Sequence, residues 1–225
     1  MSGKFGFRIG PDFNHPPKEL MDRLRQYETP QLADGLNKFN VVDPEIKPVW
    51  QGLKIAGPAL TVRVRPGDNL MVHKAIGMIQ EGDILIVDTC ACRNYTILGD
   101  LMASSAVQMK VGGIVIDGGI RDVDELREKK YPVFARYFTP AVGDKDGPGE
   151  INYPICCGGV PVMPGDYIVG DDNGVVVIPP DQLETILAGT EKKLAYEKKR
   201  AEEIRQGMIS KPDVDEKLRK AGVID

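Results

Sequence analysis

Two short motifs separated by twenty residues constrain this chain more than anything else in it: Gly99-Asp100, then Arg121-Asp122 with Glu125 three further on. The interval has the length of one strand–helix–strand round trip. Ile84 to Asp88 is an apolar run ending in Asp and reads as a buried strand. Ile97 to Lys110 carries apolar residues at 98, 101, 102, 106 and 109, close to helical spacing, and Gly112-Gly113 ends it. Ile114-Val115-Ile116 reads as a second buried strand. If the two strands are parallel, the helix runs back between them. The helix start near Asp100 and the strand end near Gly118 then meet at one sheet edge, where open α/β sheets bind ligands. Asp100, Arg121 and Asp122 are therefore expected to converge.

The rest of the chain reads as one mixed α/β domain. Residues 1–16 are rich in Gly, Pro and Asn and are expected to form an irregular arm. Pro17 to Gln26 reads as a short helix, and Thr29-Pro30 opens another, with Thr29 as cap and Asp34 inside. Ala59 to Val64 reads as an alternating strand that follows a turn at Gly57-Pro58, and Asp68 caps a helix over about Asn69 to Gln80. After Asp122 come a short helix (123–130), a strand from Val133 to Arg136 and a Gly/Pro/Asp-rich loop (139–152). Short strands follow near 159–162, 167–169 and 174–178, with a hairpin signal at Asn173-Gly174. Asp181 opens a long charged helix to about Gln206, and residues 212–222 add a last one. The stretch TEKKLAYEKKRAEEIRQG is too polar for a monomer core. It either packs across a neighbouring subunit or is solvated.

The 225 residues suffice for one ordinary core. A net charge of −4 gives no overall cationic field for nucleic acid or an anionic membrane. No apolar run reaches membrane-spanning length and no secretory signal is evident, so the expectation is a cytoplasmic protein with neither kind of partner. Cys90/Cys92 and Cys156/Cys157 do not have zinc-ribbon spacing and read as buried, reduced thiols, with Cys90 in a loop beside the expected site.

At that site, the first amides of a helix lack backbone partners and carry partial positive charge, a seat for a carboxylate or phosphate. The amides of Leu101, Met102 and Ala103 are the candidates. Gly99 permits close approach, and Arg121 adds a two-pronged contact to the same anion. The plainer alternative is an ordinary helix start in which Arg121 pairs with Asp100. The acids Asp100, Asp117, Asp122, Asp124 and Glu125 surround the same crevice. With no HExxH or cysteine cluster, a sparsely ligated Mg²⁺ or Mn²⁺ on Asp122 is the sharper reading, with Asp100 holding a water. Asp124 and Glu125 read better as first-turn acids of the helix at 123. His73 lies four residues beyond Asn69 on one helix face; His15, in the arm, suggests nothing.

At these residues the chain resembles the RraA-like family, which includes the regulator of ribonuclease E activity and the metal-dependent (class II) 4-hydroxy-4-methyl-2-oxoglutarate and 4-carboxy-4-hydroxy-2-oxoadipate aldolases. The aldolase branch is marked by Gly-Asp, twenty residues, Arg-Asp, two residues, then Glu or Asp, which this chain matches at Gly99-Asp100, Arg121-Asp122 and Glu125. Similarity extends through TPQLADGL (29–36), PGDNLMVHKAI (66–76), VGGIVIDGGIRD (111–122), PVFAR (132–136), GGVPVMPGD (158–166) and GDDNGVVVIP (170–179). The resemblance implies an αββα sandwich of the swivelling β/β/α type over 1–180, with a helical extension (181–225) packed on a neighbouring subunit of a trimer or hexamer. It implies a metal on Asp122, with the pyruvyl carboxylate of a keto-acid substrate against the helix amides and Arg121. Asp100 then positions a proton-carrying water, and Asn69, His73, Asp34 and a neighbouring subunit's Glu197 line the site. The expected activity is pyruvate-forming aldol cleavage, with oxaloacetate decarboxylation beside it. The alternative is a non-catalytic regulator of ribonuclease E. The stretch TCACRNYT (89–96) departs from a Gly-Gly-Asp-like segment in many relatives, which bears on substrate preference.

Overall fold

The computed structural model describes residues 3–224, so the first two residues of the expected arm and the last of the extension lie outside the described residues. Eleven strands form among the described residues: β1 (Phe7–Ile9), β2 (Lys47–Pro48), β3 (Ile55–Val64), β4 (Ile84–Leu98), β5 (Gly113–Ile120), β6 (Val133–Phe138), β7 (Gly149–Ile151), β8 (Ile155–Cys157), β9 (Val160–Val162), β10 (Tyr167–Asp171) and β11 (Gly174–Ile178). The α-helices are α1 (Lys18–Leu24), α2 (Thr29–Gly35), α3 (Leu70–Ile76), α4 (Asp100–Gln108), α5 (Val123–Glu128), α6 (Leu183–Arg205) and α7 (Pro212–Lys220).

The strand–helix–strand unit forms as the spacing predicts. β4 and β5 pair in parallel from Ile84↔Gly113 to Asp88↔Asp117, and α4 connects them. β3, β4, β5 and β6 make a parallel core; β7 joins β3 antiparallel, and β10 pairs with the first half of β3. All eight residues of β5 are buried, as expected of a parallel strand covered on both faces.

Period-2 alternation sorts the side chains into three cores, and three cores between layers mean four layers. Leu85 and Val87 of β4 face α3, α4 and α5 through Met71, Val72, Ala103, Ala106 and Leu126. Ile84 and Ile86 face the other way, onto the β8–β9 and β10–β11 hairpins through Ile155, Val162, Ile168 and Val177. The outer face of β10–β11 (Val169, Val176, Ile178) packs on α1, α2 and the start of α6 through Leu24, Leu32, Ile186 and Leu187. The molecule is thus an αββα sandwich in a single domain. Each fully buried aliphatic contributes about 1.5–3 kcal/mol.

Several local expectations are corrected. β3 runs straight through Gly57-Pro58, with every residue buried except Arg63, so it is a central strand rather than an alternating one after a turn. The segment 89–96 is not a loop: β4 continues to Leu98 across register shifts, bulging at Cys90 and Ala91, both at positive φ. Ile97 and Leu98 are therefore strand, and α4 starts at Asp100. The arm contributes β1, and the Gly/Pro-rich loop contributes β7; the two pair with each other and β7 with β3. Glu28, not Thr29, is the cap of α2, in a capping box with Gln31. Thr29 instead gives its N–H and hydroxyl to buried Asp171, at 2.8 and 2.6 Å. The first turns of α6 bury Leu183, Ile186, Leu187 and Thr190 against their own chain, while most of the helix beyond Thr190 is exposed. No helix of the described residues is long and apolar enough to cross a membrane.

Candidate functional site

The ends of β4 and β5 lie side by side, Leu98 opposite Ile120, and the Arg121 N–H donates to Leu98 O at 3.1 Å. That bond sets the residues after each strand against each other. Asp122 takes the left-handed conformation (φ 54, ψ 42), which Asp tolerates better than most residues, and from there α5 begins. The turn carries its carboxylate back to α4, where Oδ2 accepts the Asp100 N–H at 3.0 Å. Arg121 Nε lies 3.6 Å from the same oxygen. Gly99 leaves the room for this: a Cβ there would come within 2.5 Å of Asp122 Oδ2 and 3.1 Å of Arg121 Nε. Its own φ of −131 is open to any residue, so space rather than conformation demands glycine.

At the start of α4 the four groups separate. Asp100 N–H is taken by Asp122, and Ala103 N–H by Gly99 O at 3.0 Å. Ala103 is fully buried and is removed from the anion-binding set. As first-turn positions, Leu101 and Met102 have amides without an acceptor inside the helix. They border a cleft of about 90 Å³ with Gly99, Arg121, Asp122 and Asn69.

Asn69 is placed by its neighbour. Asp68, fully buried, accepts N–H bonds from Leu70, Asp146 and Gly147, tying the start of α3 to the 144–147 segment. Burial alone would raise its carboxyl, but those three bonds and Arg65 hold it below the usual range. Asn69 Nδ2 reaches Ile97 O at 3.4 Å, and its Oδ1 is buried without a partner beside the cleft. His73 lines an adjoining depression with Leu101 and Met102; desolvation, then Lys145, lowers its pKa, favouring neutral imidazole.

The structure separates other expected members. Arg121 does not pair with Asp100; Lys129, beyond the end of α5, binds both Asp100 oxygens at 2.6 and 2.8 Å. The sequence reading missed Lys129, whose place near a helix end reads as ordinary dipole compensation. Asp117 is no crevice acid: it is buried, bonded to Arg136 at 2.6 Å and to the Gly158 N–H at 2.7 Å. Asp34 and Glu197 are brought together, both beside Lys193 (3.2 and 4.0 Å), but in the opposite helix layer from Asp100 within one chain. Cys90 lies by Asp88 and Arg63 rather than beside Arg121. Cys92 and Cys157 are buried as expected, whereas Cys90 and Cys156 are exposed. His15 is engaged after all, 3.0 Å from buried Asp83.

Among the described residues no three His, Cys, Asp or Glu side chains cluster as a metal cage. A cation here would rest on Asp122 alone, with other ligands from water or substrate. That donor set suits a hard ion such as Mg²⁺ or Mn²⁺ and not zinc or copper.

The sequence profile described as RraA-like (Aldolase/RraA) matches residues 29–177. The chain belongs to the RraA-like family. A relative from Halalkalibacterium halodurans, named "Putative 4-hydroxy-4-methyl-2-oxoglutarate aldolase", is 37% identical over 192 residues, covering 85% of this chain and 91% of its own. A similarly named protein of Ectopseudomonas mendocina is 34% identical, covering 68% and 94%. Among solved structures, RraAS2 of Streptomyces coelicolor, titled an unusual member of the RNase ES inhibitor RraA family, superposes with TM-score 0.75 at 26% identity, covering 84% and 98%. The RraA of Thermus thermophilis, titled an RNA-processing inhibitor, gives 0.63 at 30%, covering 68% and 93%.

Proposed function

We propose that this protein is a divalent-metal-dependent aldolase. It cleaves 4-hydroxy-2-oxo acids of the 4-hydroxy-4-methyl-2-oxoglutarate class to pyruvate and a second keto acid, with oxaloacetate decarboxylation as a side activity. The observation that carries the reading is the exposed Arg121–Asp122 pair set against the open first turn of α4. The names of the relatives point the same way.

The substrate carboxylate takes the Leu101 and Met102 amides and the Arg121 guanidinium, charge-assisted bonds that fix the 2-oxo group beside Asp122. Asp122 would hold Mg²⁺ or Mn²⁺, which when bound supplies Lewis-acid stabilisation of negative charge on the 2-oxo oxygen. Arg121 faces the same developing charge. Asp100 orients a water that accepts the proton of the C4 hydroxyl. The C3–C4 bond breaks, C4 becomes a carbonyl, and the electron pair passes into the pyruvate enolate. The water held by Asp100 then returns a proton to C3. Oxaloacetate has no C4 hydroxyl to deprotonate: its C3–C4 bond breaks to release CO₂, the electron pair passes into the same enolate, and the water held by Asp100 gives C3 a proton that solvent replaces. Asn69 and His73 border the substrate. Glu197 and Asp34 reach the site from a second copy in a trimer or hexamer, which fits the exposed apolar Leu101, Phe138 and Val142 around the cleft. The setting is the cytoplasm.

A second reading, a non-catalytic regulator of ribonuclease E, is favoured by the likeness to the Thermus RraA. One panel separates them. Purified protein is given 4-hydroxy-4-methyl-2-oxoglutarate and oxaloacetate, and pyruvate release is followed with EDTA and with Mg²⁺ restored. Metal-dependent pyruvate release supports the aldolase. No turnover of either acid, with recovery of ribonuclease E in a pull-down, supports the regulator.

A further inference from the structure

α5 fastens Asp100 at both ends. At its N-terminus the Asp122 carboxylate takes the Asp100 N–H at 3.0 Å; beyond its C-terminus Lys129 takes both Asp100 side-chain oxygens at 2.6 and 2.8 Å. Asp100 is the first residue of α4, and an acidic side chain there is drawn to the positive end of its own helix. Left to itself, it competes with any incoming carboxylate for the Leu101 and Met102 amides and repels it. Gly99, the N-cap, has no side chain to cap the helix, and Asp122 takes only the Asp100 N–H, so the Leu101 and Met102 amides stay open.

We propose that Lys129 is a positioning residue: it holds the Asp100 carboxylate off the α4 amides, neutralises its charge, and so keeps the seat open for a 2-oxo acid. This rests on the aldolase reading of the same site. The pair is partly exposed, 43% for Lys129 and 18% for Asp100, so it adds little to global stability. Its removal is expected in ligand affinity rather than in the melting temperature.

The test is calorimetric titration of pyruvate, with Mg²⁺ present, into wild type, Lys129→Gln, Lys129→Arg, Asp100→Asn and the Asp100→Asn/Lys129→Gln double variant. Lys129→Gln is expected to weaken pyruvate about ten-fold and to raise KM more than it lowers kcat, with the melting temperature within about 2 °C of wild type. Lys129→Arg restores most of the affinity. In the Asp100→Asn background Lys129→Gln costs nothing further, because the carboxylate it restrains is gone. Wild-type affinity in Lys129→Gln, or an equal loss in the Asp100→Asn background, overturns the proposal while leaving the aldolase reading intact if wild type turns over. A wild type that neither binds pyruvate nor turns over either acid overturns both.

Discussion

Asp117 and Asp122 lie five residues apart on one segment, and each has an arginine partner, yet the two pairs do opposite jobs. Arg136 and Asp117 are each only 6% exposed and meet at 2.6 Å; Asp43 and Glu45 both bind the Arg136 Nη1 at 2.8 Å, and the Gly158 N–H binds the second Asp117 oxygen. Arg121 and Asp122 are 43% and 38% exposed, and their closest approach is 3.6 Å. The first pair is a closed structural tie between β5, β6 and the β8–β9 hairpin. The second is open: apart from the Asp100 N–H on Asp122 Oδ2, both exposed side chains can still meet something else. Sequence spacing nominates both acids for the same crevice; burial and the number of satisfied partners tell them apart.

The comparison breaks most visibly under paired truncation. Arg121→Ala is expected to lower pyruvate-forming kcat/KM by about 10³-fold, as for loss of a charge-stabilising donor, and to move stability by less than about 1 kcal/mol, because so exposed a pair contributes little. Arg136→Ala should instead cost about 3–5 kcal/mol of stability in urea unfolding, since it leaves Asp117 buried without its counter-charge. Equal stability losses in the two variants would erase the distinction.

A smaller effect sharpens the role of partner supply. Asp68, with three backbone N–H donors, is held below the usual carboxyl range; Asp166, buried with only the Met163 N–H and close to Asp181, is pushed up to about 6. The folded form of Asp166 thus binds its proton more tightly than the unfolded chain, whose pKa is about 3.9. Its contribution is complete below pH ~4 and is lost as pH rises through about 6. Asp166→Asn keeps an acceptor for Met163. It should exceed wild type in stability by on the order of 2 kcal/mol at pH ~7.5 and match it at pH ~4. Parallel pH profiles for the two proteins would count against the role of burial.

What was legible in the sequence follows from what is local. The β4–α4–β5 unit and the convergence of Gly99, Asp100, Arg121 and Asp122 depend on periodicity within forty residues of chain, and both were readable. β1 and β7 were not, because edge strands inside Gly- and Pro-rich segments take their hydrogen bonds from each other and from β3. The continuation of β4 past Asp88 is hidden by the bulge at Cys90 and Ala91 and by the exposed polar Arg93 and Asn94 that follow it. Thr29 was misread because its partner, Asp171, is 142 residues away. Lys129 was missed for a similar reason: nothing near it in sequence says that it meets Asp100.

The central claim is that the open carboxylate at the end of β5 is the one that works. Mn²⁺ binding counted by electron paramagnetic resonance tests it most directly, in wild type, Asp122→Asn and Asp117→Asn. Mn²⁺ should bind to wild type and to folded Asp117→Asn, and binding should be lost in Asp122→Asn with its thermal stability unchanged. Wild-type Mn²⁺ binding in Asp122→Asn would contradict the account.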